Sequence, residues 1–318
     1  MPDPSTGEPT GEPTHEPTPD VTVVMPVYGN RPSLGAAIEG VLAQEFPGTF
    51  DLVVVATADT PEGVAAIPDL PRVTAVTRGH RLRPAAARNL AVASARGRYL
   101  VFTDDDIVPD PDWLATLYAT AEETGGTTAV TGSIVNGTPD SAVGTAEYIV
   151  DRLDLLPTRP RGIGPWHGDT ANLLVPRSLW ERFGPFDEES VGGTDTHLTA
   201  ELFEAGALFF EPEARVTHLN RTRLRDMLRV QYFRGRTAAQ IGRSAVRHPA
   251  KHLLANPELA PVALVGRVVS VYRRTAAWAP QDLGRTVRLL PLLLLALGAW
   301  AWGLVVQGIR LDRRARGG

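Results

Sequence analysis

Tyr99-Leu100-Val101-Phe102-Thr103-Asp104-Asp105-Asp106-Ile107-Val108-Pro109 decides how the rest of this chain reads. Its first half is an unbroken aromatic and β-branched run, the signature of a strand buried on both faces, as strands in parallel sheets are. Three aspartates follow at the carboxyl end of that strand, the edge at which open α/β sheets bind their ligands. An isolated acidic triplet would read as a solvated turn leading into a helix. Here two carboxylates from alternate positions, with phosphate oxygens completing the shell, suit Mg²⁺ or Mn²⁺. Asp104 and Asp106 are therefore the first candidate ligands.

Working outward, the same alternation continues on both sides. Residues 21–27, 52–55, 72–76 and 98–103 read as strands, and residues 32–44, 84–95 and 111–123 as the helices between them, the last with Asp110 as cap and Pro111 in its first turn. Strands separated by helices of this length make βαβ units and a mostly parallel sheet. Further along, residues 128–135, 172–175, 208–210 and 214–217 read as strands, and residues 141–156 and 194–205 as helices. Residues 157–168, rich in Pro, Gly and Arg, read as a loop over a site.

Composition narrows the chemistry. The 318 residues contain no cysteine, which excludes disulfides, thiolate catalysis and cysteine-bound zinc. The net charge of −4 hides an asymmetry: residues 221–318 hold 18 basic and 4 acidic residues, leaving 14 basic and 32 acidic in residues 1–220. A basic carboxyl-terminal third implies an anionic partner. Residues 289–309 carry no charge and are flanked by Arg285, Arg288, Arg310, Arg313, Arg314 and Arg316, so they read as a transmembrane helix of about 30 Å. Residues 259–272, interrupted by Arg267, read as an interfacial helix. Residues 1–20, with repeated Glu-Pro-Thr, read as a disordered tail.

Four features in this order resemble family 2 inverting glycosyltransferases of the GT-A fold: residues 23–28 (Val-Val-Met-Pro-Val-Tyr), Arg88-Asn89, residues 102–106 (Phe-Thr-Asp-Asp-Asp), and Gly184-Pro185-Phe186-Asp187 followed by Gly193-Thr194-Asp195. The resemblance covers residues 21–236. It implies a Rossmann-like α/β domain there; beyond it the residues themselves read as a basic amphipathic helical region (237–288), the membrane helix (289–309) and a basic tail (310–318). It also implies transfer of a sugar from a nucleotide sugar, with a divalent cation held by Asp104, Asp106 and His218, and with Pro26, Tyr28, Asp59, Arg88, Asp104 and Asp105 around the donor. Asp195 is implied as the base on the acceptor hydroxyl; His167, Asp169 and Asn172 lie where relatives meet the acceptor, and Gln231 and Arg234 resemble a shortened Gln-x-x-Arg-Trp signature. The expected acceptor is lipid-linked or a cell-envelope glycan, the expected place the cell membrane with the site facing the cytoplasm, and nucleic acid is not an expected partner.

Two of the chain's departures from the family pattern bear on whether it is catalytic. Where relatives carry base-reading acids after the second strand, it has Ala56-Thr57-Ala58-Asp59, and Thr194 replaces the usual acid before Asp195. They motivate an alternative, a catalytically degenerate domain that binds nucleotide or glycan, or scaffolds membrane enzymes.

Overall fold

The computed structural model describes residues 18–27, 31–57, 64–190, 192–245 and 247–317. Along the chain run β1 (Val21–Pro26), α1 (Leu34–Leu42), β2 (Phe50–Thr57), β3 (Val73–Arg78), α2 (Pro84–Ser94), β4 (Tyr99–Phe102), β5 (Ile107–Pro109), α3 (Trp113–Glu123), β6 (Ala129–Asn136), α4 (Ala142–Arg152), β7 (Gly162–Ile163) and β8 (Leu173–Pro176). These are followed by α5 (Arg177–Phe183), α6 (Thr194–Glu204), β9 (Leu208–His218), α7 (Leu224–Arg243), α8 (Lys251–Ala255), α9 (Ala260–Trp278), α10 (Leu283–Arg288) and α11 (Leu290–Gly317).

The strands form one sheet in the order β3-β2-β1-β4-β8-β6-β9-β5, with β7 on β9. β1 and β4 are buried at every position, and their side chains alternate between two cores. Val21, Val23, Met25, Tyr99 and Val101 pack on one face with α1 and α3. Val24, Leu100 and Phe102 pack on the other with α2 and α5. This two-sided burial explains the continuous apolar run of β4. At the opposite end of the strands, Thr22 Oγ1 accepts from Gly97 N at 2.9 Å. A side chain on Gly97 would collide with the backbone of Val21 and Thr22, so only glycine admits this close approach.

The expected mostly parallel sheet is mixed. β1/β2, β2/β3, β1/β4 and β6/β9 are parallel, whereas β4/β8, β6/β8, β5/β9 and β7/β9 are antiparallel. The strand β5, three residues long and directly after the aspartates, has no counterpart in the sequence reading; it is too short to show a period. The two strands expected at 208–217 are one, β9, whose register against β6 shifts after Gly132 as the chain passes Pro212. Pro212 cannot donate to a ladder, and the irregularity accommodates it. α3 begins at Trp113, two residues later than expected, because Asp110 is drawn into a turn whose carbonyl accepts from Trp113 N at 3.1 Å. Of the expected tail, residues 18–20 are described, and Asp20 Oδ2 accepts from Thr49 N at 2.8 Å.

The carboxyl-terminal helices pack on α4 and on one another. α7 turns Met227, Gln231, Gly235, Ala239 and Gly242 inward, one residue per turn, and α11 lies along that stripe. The crossing is close enough that a side chain on Gly235 would strike the carbonyl of Trp300, and one on Gly303 the carbonyl of Tyr232. Polar contacts continue the seam: Arg236 Nε donates to Gln307 Oε1 at 3.2 Å, and Arg243 bonds Gly308 O at 2.9 Å and Asp312 Oδ1 at 2.7 Å. α11 is long and apolar enough to cross a bilayer, but half of its apolar stretch is buried against the protein. The other half exposes Leu294, Leu295, Trp302 and Ile309.

Candidate active site

β4 delivers the acidic triplet to the carboxyl edge of the sheet, and each aspartate meets a different environment. Asp104 Oδ1 accepts from Arg88 Nη2 at 2.5 Å; Arg88 comes from α2 and is buried. Asp106 is ion-paired to Arg31 and lies 3.8 Å, through Oδ1, from His218 Nε2. Asp105 is 1% exposed, its carboxylate 3.4 Å from Arg31 Nε and its carbonyl bonded by Ser33 Oγ at 2.8 Å. Arg31 and Ser33 precede α1, so the loop after β1 clamps the triplet from one side.

β5 supplies the opposite side. Ile107 pairs with His218 at the end of β9, and Leu219 N donates to Asp106 O at 2.9 Å. His218 Nδ1 lies 2.7 Å from Asn220 Oδ1, while the Asn220 amide donates to Asn136 Oδ1 at 2.8 Å. Asn220 thus presents an acceptor to Nδ1, which places the imidazole proton there and leaves the Nε2 lone pair facing Asp106. Burial, with Arg152, Arg221 and Arg234 nearby, pushes His218 well below 6.5, so the ring is neutral. Two lone-pair groups facing each other at 3.8 Å are an arrangement that a cation between them relieves.

Among the described residues no cluster of three or more histidine or acidic side chains is already closed around a metal position. Asp104 and Asp106 are held by arginines instead, while lining the same cavity as His218. Two carboxylates and a neutral imidazole nevertheless make a donor set that fits Mn²⁺ or Mg²⁺, given further oxygens from a diphosphate and water.

That cavity has a volume of about 840 Å³ and extends from the aspartates past α6 to the carboxyl-terminal helices. Asp195 lines it from the first turn of α6. Among the described residues its side chain makes no capping bond, and the N-cap of the helix is Gly193, φ +71°, packed against Thr237 and Ile241 of α7. Only glycine takes that conformation and that contact together.

Other expected residues separate clearly. His167 and Asp169 line the cavity, Asp169 paired with the buried Arg152 and His167 Nε2 3.9 Å from Asp154. Asn172 is completely buried and ties the sheet, accepting from Trp113 Nε1 at 2.8 Å and donating to the carbonyls of Ser133 and Ala214. Gln231 and Arg234 face inward: the Gln231 amide donates to Asp151 at 2.9 Å, and Arg234 pairs with it at 3.0 Å. Pro26 closes β1 beside Val55, buried. Tyr28 and Asp59 lie outside the described residues.

The charged face of α4 carries none of the expected site residues and yet lines the cavity. Glu147, 1% exposed, holds Arg221 through both its backbone N–H at 2.9 Å and its guanidinium at 2.6 Å. Burial, with Arg234 close by, lowers Arg152 to about 10, which still leaves it cationic at neutral pH. The signal was present as Glu147, Asp151 and Asp154 at near-helical spacing in an otherwise apolar segment.

Comparison with known proteins agrees with this architecture. A family model described as "Glycosyl transferase family 2" matches residues 22–161. The pre-mycofactocin glycosyltransferase of Mycobacterium tuberculosis H37Rv is 30% identical over 310 residues, covering 93% of this chain and 58% of that protein. The chain thus spans less than two thirds of that relative's length. Glycosyltransferase AglE of Haloferax volcanii is 25% identical over 229 residues, covering 70% of this chain and 74% of its own. Among solved structures, the mannosyltransferase PcManGT from Pyrobaculum calidifontis, in complex with GDP-Man and Mn²⁺, superposes with a TM-score of 0.61 at 24% identity, covering 92% of this chain and 87% of its own. Residues 1–349 of S. aureus TarS, in complex with UDP, give a TM-score of 0.51 at 14% identity, covering 92% and 91%. At these identities the two structures speak for the fold.

Proposed function

The chain belongs to glycosyl transferase family 2, and from that premise we propose that it moves a sugar from a nucleotide sugar to an acceptor hydroxyl with inversion, using a divalent cation. The observation that carries the reading is the joint lining of one cavity by Asp104, Asp106, His218 and Asp195.

In this reading the acceptor hydroxyl is deprotonated by Asp195 as its oxygen bonds to the anomeric carbon. The bond from that carbon to the diphosphate breaks on the opposite face, and the electron pair leaves with the phosphate. Asp104, Asp106 and His218 would hold the cation, which when bound would supply electrostatic stabilisation of the leaving diphosphate. Arg88 orients Asp104 and Arg31 orients Asp106; both guanidiniums can turn to phosphate oxygens, for which their planar fork is suited. Asp105, buried against Arg31, shapes the donor side.

The proposal extends to the membrane. What supports it is the exposed apolar side of α11 together with flanking Arg285, Arg288, Arg310, Arg313 and Arg314. The opposite side is packed on α7, a helix whose arginines bond α11 directly, and such a pair does not belong in hydrocarbon. We therefore read α11 as lying in the membrane surface, with the arginines drawn to anionic headgroups on the cytoplasmic side. An acceptor presented at that surface, lipid-linked or part of the cell envelope, would be within reach of the cavity.

The test is a panel of nucleotide sugars incubated with the purified full chain, Mn²⁺ or Mg²⁺, and lipid extract, read as nucleoside diphosphate release. Release with one donor, dependent on metal and extract, is the expected outcome. Diphosphate binding without turnover of any donor would instead favour the degenerate, binding-only domain.

A further inference from the structure

Beyond Asp195 the cavity continues to a wall built from the turn after α4 and from α9 and α11. Charges on this side do not balance. Asp151 is taken by Arg234 at 3.0 Å, Asp154 by Arg274 at 2.6 Å, Asp169 by Arg152 and Glu147 by Arg221 at 2.6 Å. Two arginines that line the cavity, Arg159 and Arg267, make no ion pair among the described residues.

Both are held in place by other means. Arg267 donates through Nη2 to Val150 O at 3.1 Å, and its guanidinium lies over the Trp300 ring, 4.5 Å from the centroid. Arg159 lies over Phe210 at 5.5 Å and Trp278 at 5.8 Å, with a long 3.4 Å contact to Asp154 O. Stacking fixes a guanidinium plane while leaving N–H groups along its edge for a ligand. Burial lowers Arg267 to about 10, so it remains charged at neutral pH although partly desolvated. Asp151 and Asp154 lie near enough to favour its charge, but each is bonded to another arginine, which leaves the Arg267 guanidinium without a carboxylate of its own.

We propose that Arg159 and Arg267 form a subsite for a phosphate group carried by the acceptor. Arg274 lies near both and is itself bonded to Asp154, so two arginines with no ion pair of their own match a phosphate of charge about −1.5 to −2 better than a carboxylate. Leu253, Leu254, Ala263 and Val271 line the same end and give an apolar segment next to that phosphate a place to lie. The inference rests on the transferase reading for calling the ligand an acceptor; the phosphate site itself does not.

The experiment uses the full chain, saturated with Mn²⁺ and a nucleoside diphosphate, and titrates octyl phosphate, inorganic phosphate, octanoate and octyl glucoside by calorimetry. Octyl phosphate should bind with the nucleotide in place. Arg267→Gln and Arg159→Gln, each checked by its thermal transition, should weaken it about tenfold, with Arg267→Lys in between. Inorganic phosphate binding as well as octyl phosphate would identify a free anion as the source; weaker binding would identify a phosphate on an apolar chain. Both support the subsite. Unchanged affinity in a folded Arg267→Gln or Arg159→Gln protein would overturn it, as would competition between octyl phosphate and the nucleotide, or octanoate or octyl glucoside binding equally well. If no nucleoside diphosphate binds but octyl phosphate still depends on Arg267, the transferase reading fails and the subsite stands.

Discussion

Asp106 Oδ1 and His218 Nε2 stand 3.8 Å apart because β5 pairs antiparallel with β9, placing Ile107 opposite His218. Two acceptors brought together by a backbone ladder, one of them fixed in tautomer by Asn220, are held for a third atom. Asp106→Asn should lower metal-stimulated diphosphate release by about two orders of magnitude, and Asn220→Ala should weaken metal affinity about tenfold. Titration of activity against Mn²⁺ after EDTA treatment measures both. A metal response identical to wild type in Asp106→Asn would remove the aspartate from the metal site.

Asp195 lines the cavity from a helix start that does not use its side chain for capping. Asp195→Asn keeps the shape and removes the base, so turnover should fall by about three orders of magnitude while nucleotide binding stays within a factor of two. Thermal stability should hardly change, since no capping bond is lost. A loss of stability in step with activity would mark the residue as structural.

The parts of the fold legible in the sequence are those with a strong period. β1, β2, β4, α2 and α6 fall within a few residues of expectation because burial on both faces or one face leaves a clear pattern. β5 and β7 were not legible: strands of three and two residues carry no period and exist through pairing with β9 alone. The candidate ligands were legible through spacing, but their partners were not. Nothing local in the sequence says that Arg31 meets Asp106 or that Arg152 meets Asp169, since those pairs are set by loop paths and helix crossings. Asn172 shows the converse: a polar residue near a site proves to be a fully bonded tie inside the sheet.

His248 sets an acid limit on stability. Burial first, then the nearby charges of His167, Arg267 and Arg274, lower it from 6.5 to about 4. Its ring stands 4.5 Å from that of Trp166, and Ala250 N donates to its Nδ1 at 2.9 Å. Between those pH values the unfolded chain binds a proton that the folded chain refuses, so stability falls as pH drops through this window and is recovered above it. His218 and His197, lowered for the same leading reason, act in the same direction. The raised Asp51, buried beside Thr22, opposes them. The melting temperature should therefore decline from pH 7 to pH 4.5, and His248→Gln should flatten part of that decline. An unchanged slope in the variant would dismiss the histidine as a contributor.

The glycine seam and the membrane reading can be separated by one property of the chain, its lack of cysteine. Gln281 and Arg314 are exposed and lie before and near the end of α11. With α11 lying in the surface, thiols introduced as Gln281→Cys and Arg314→Cys should react with a membrane-impermeant maleimide from the same side of sealed vesicles. Labelling from opposite sides would show that α11 crosses. The seam should be tested by Gly303→Val, which forces a side chain into the Tyr232 carbonyl and should cost about 3 kcal/mol or more of stability, because neither backbone can yield without breaking helix bonds. If α11 instead crossed the bilayer away from α7, that substitution would leave the melting of the soluble body unchanged while both thiols reported a span. The two measurements together decide whether this helix is a wall of the catalytic body that rests on lipid or an anchor that leaves it.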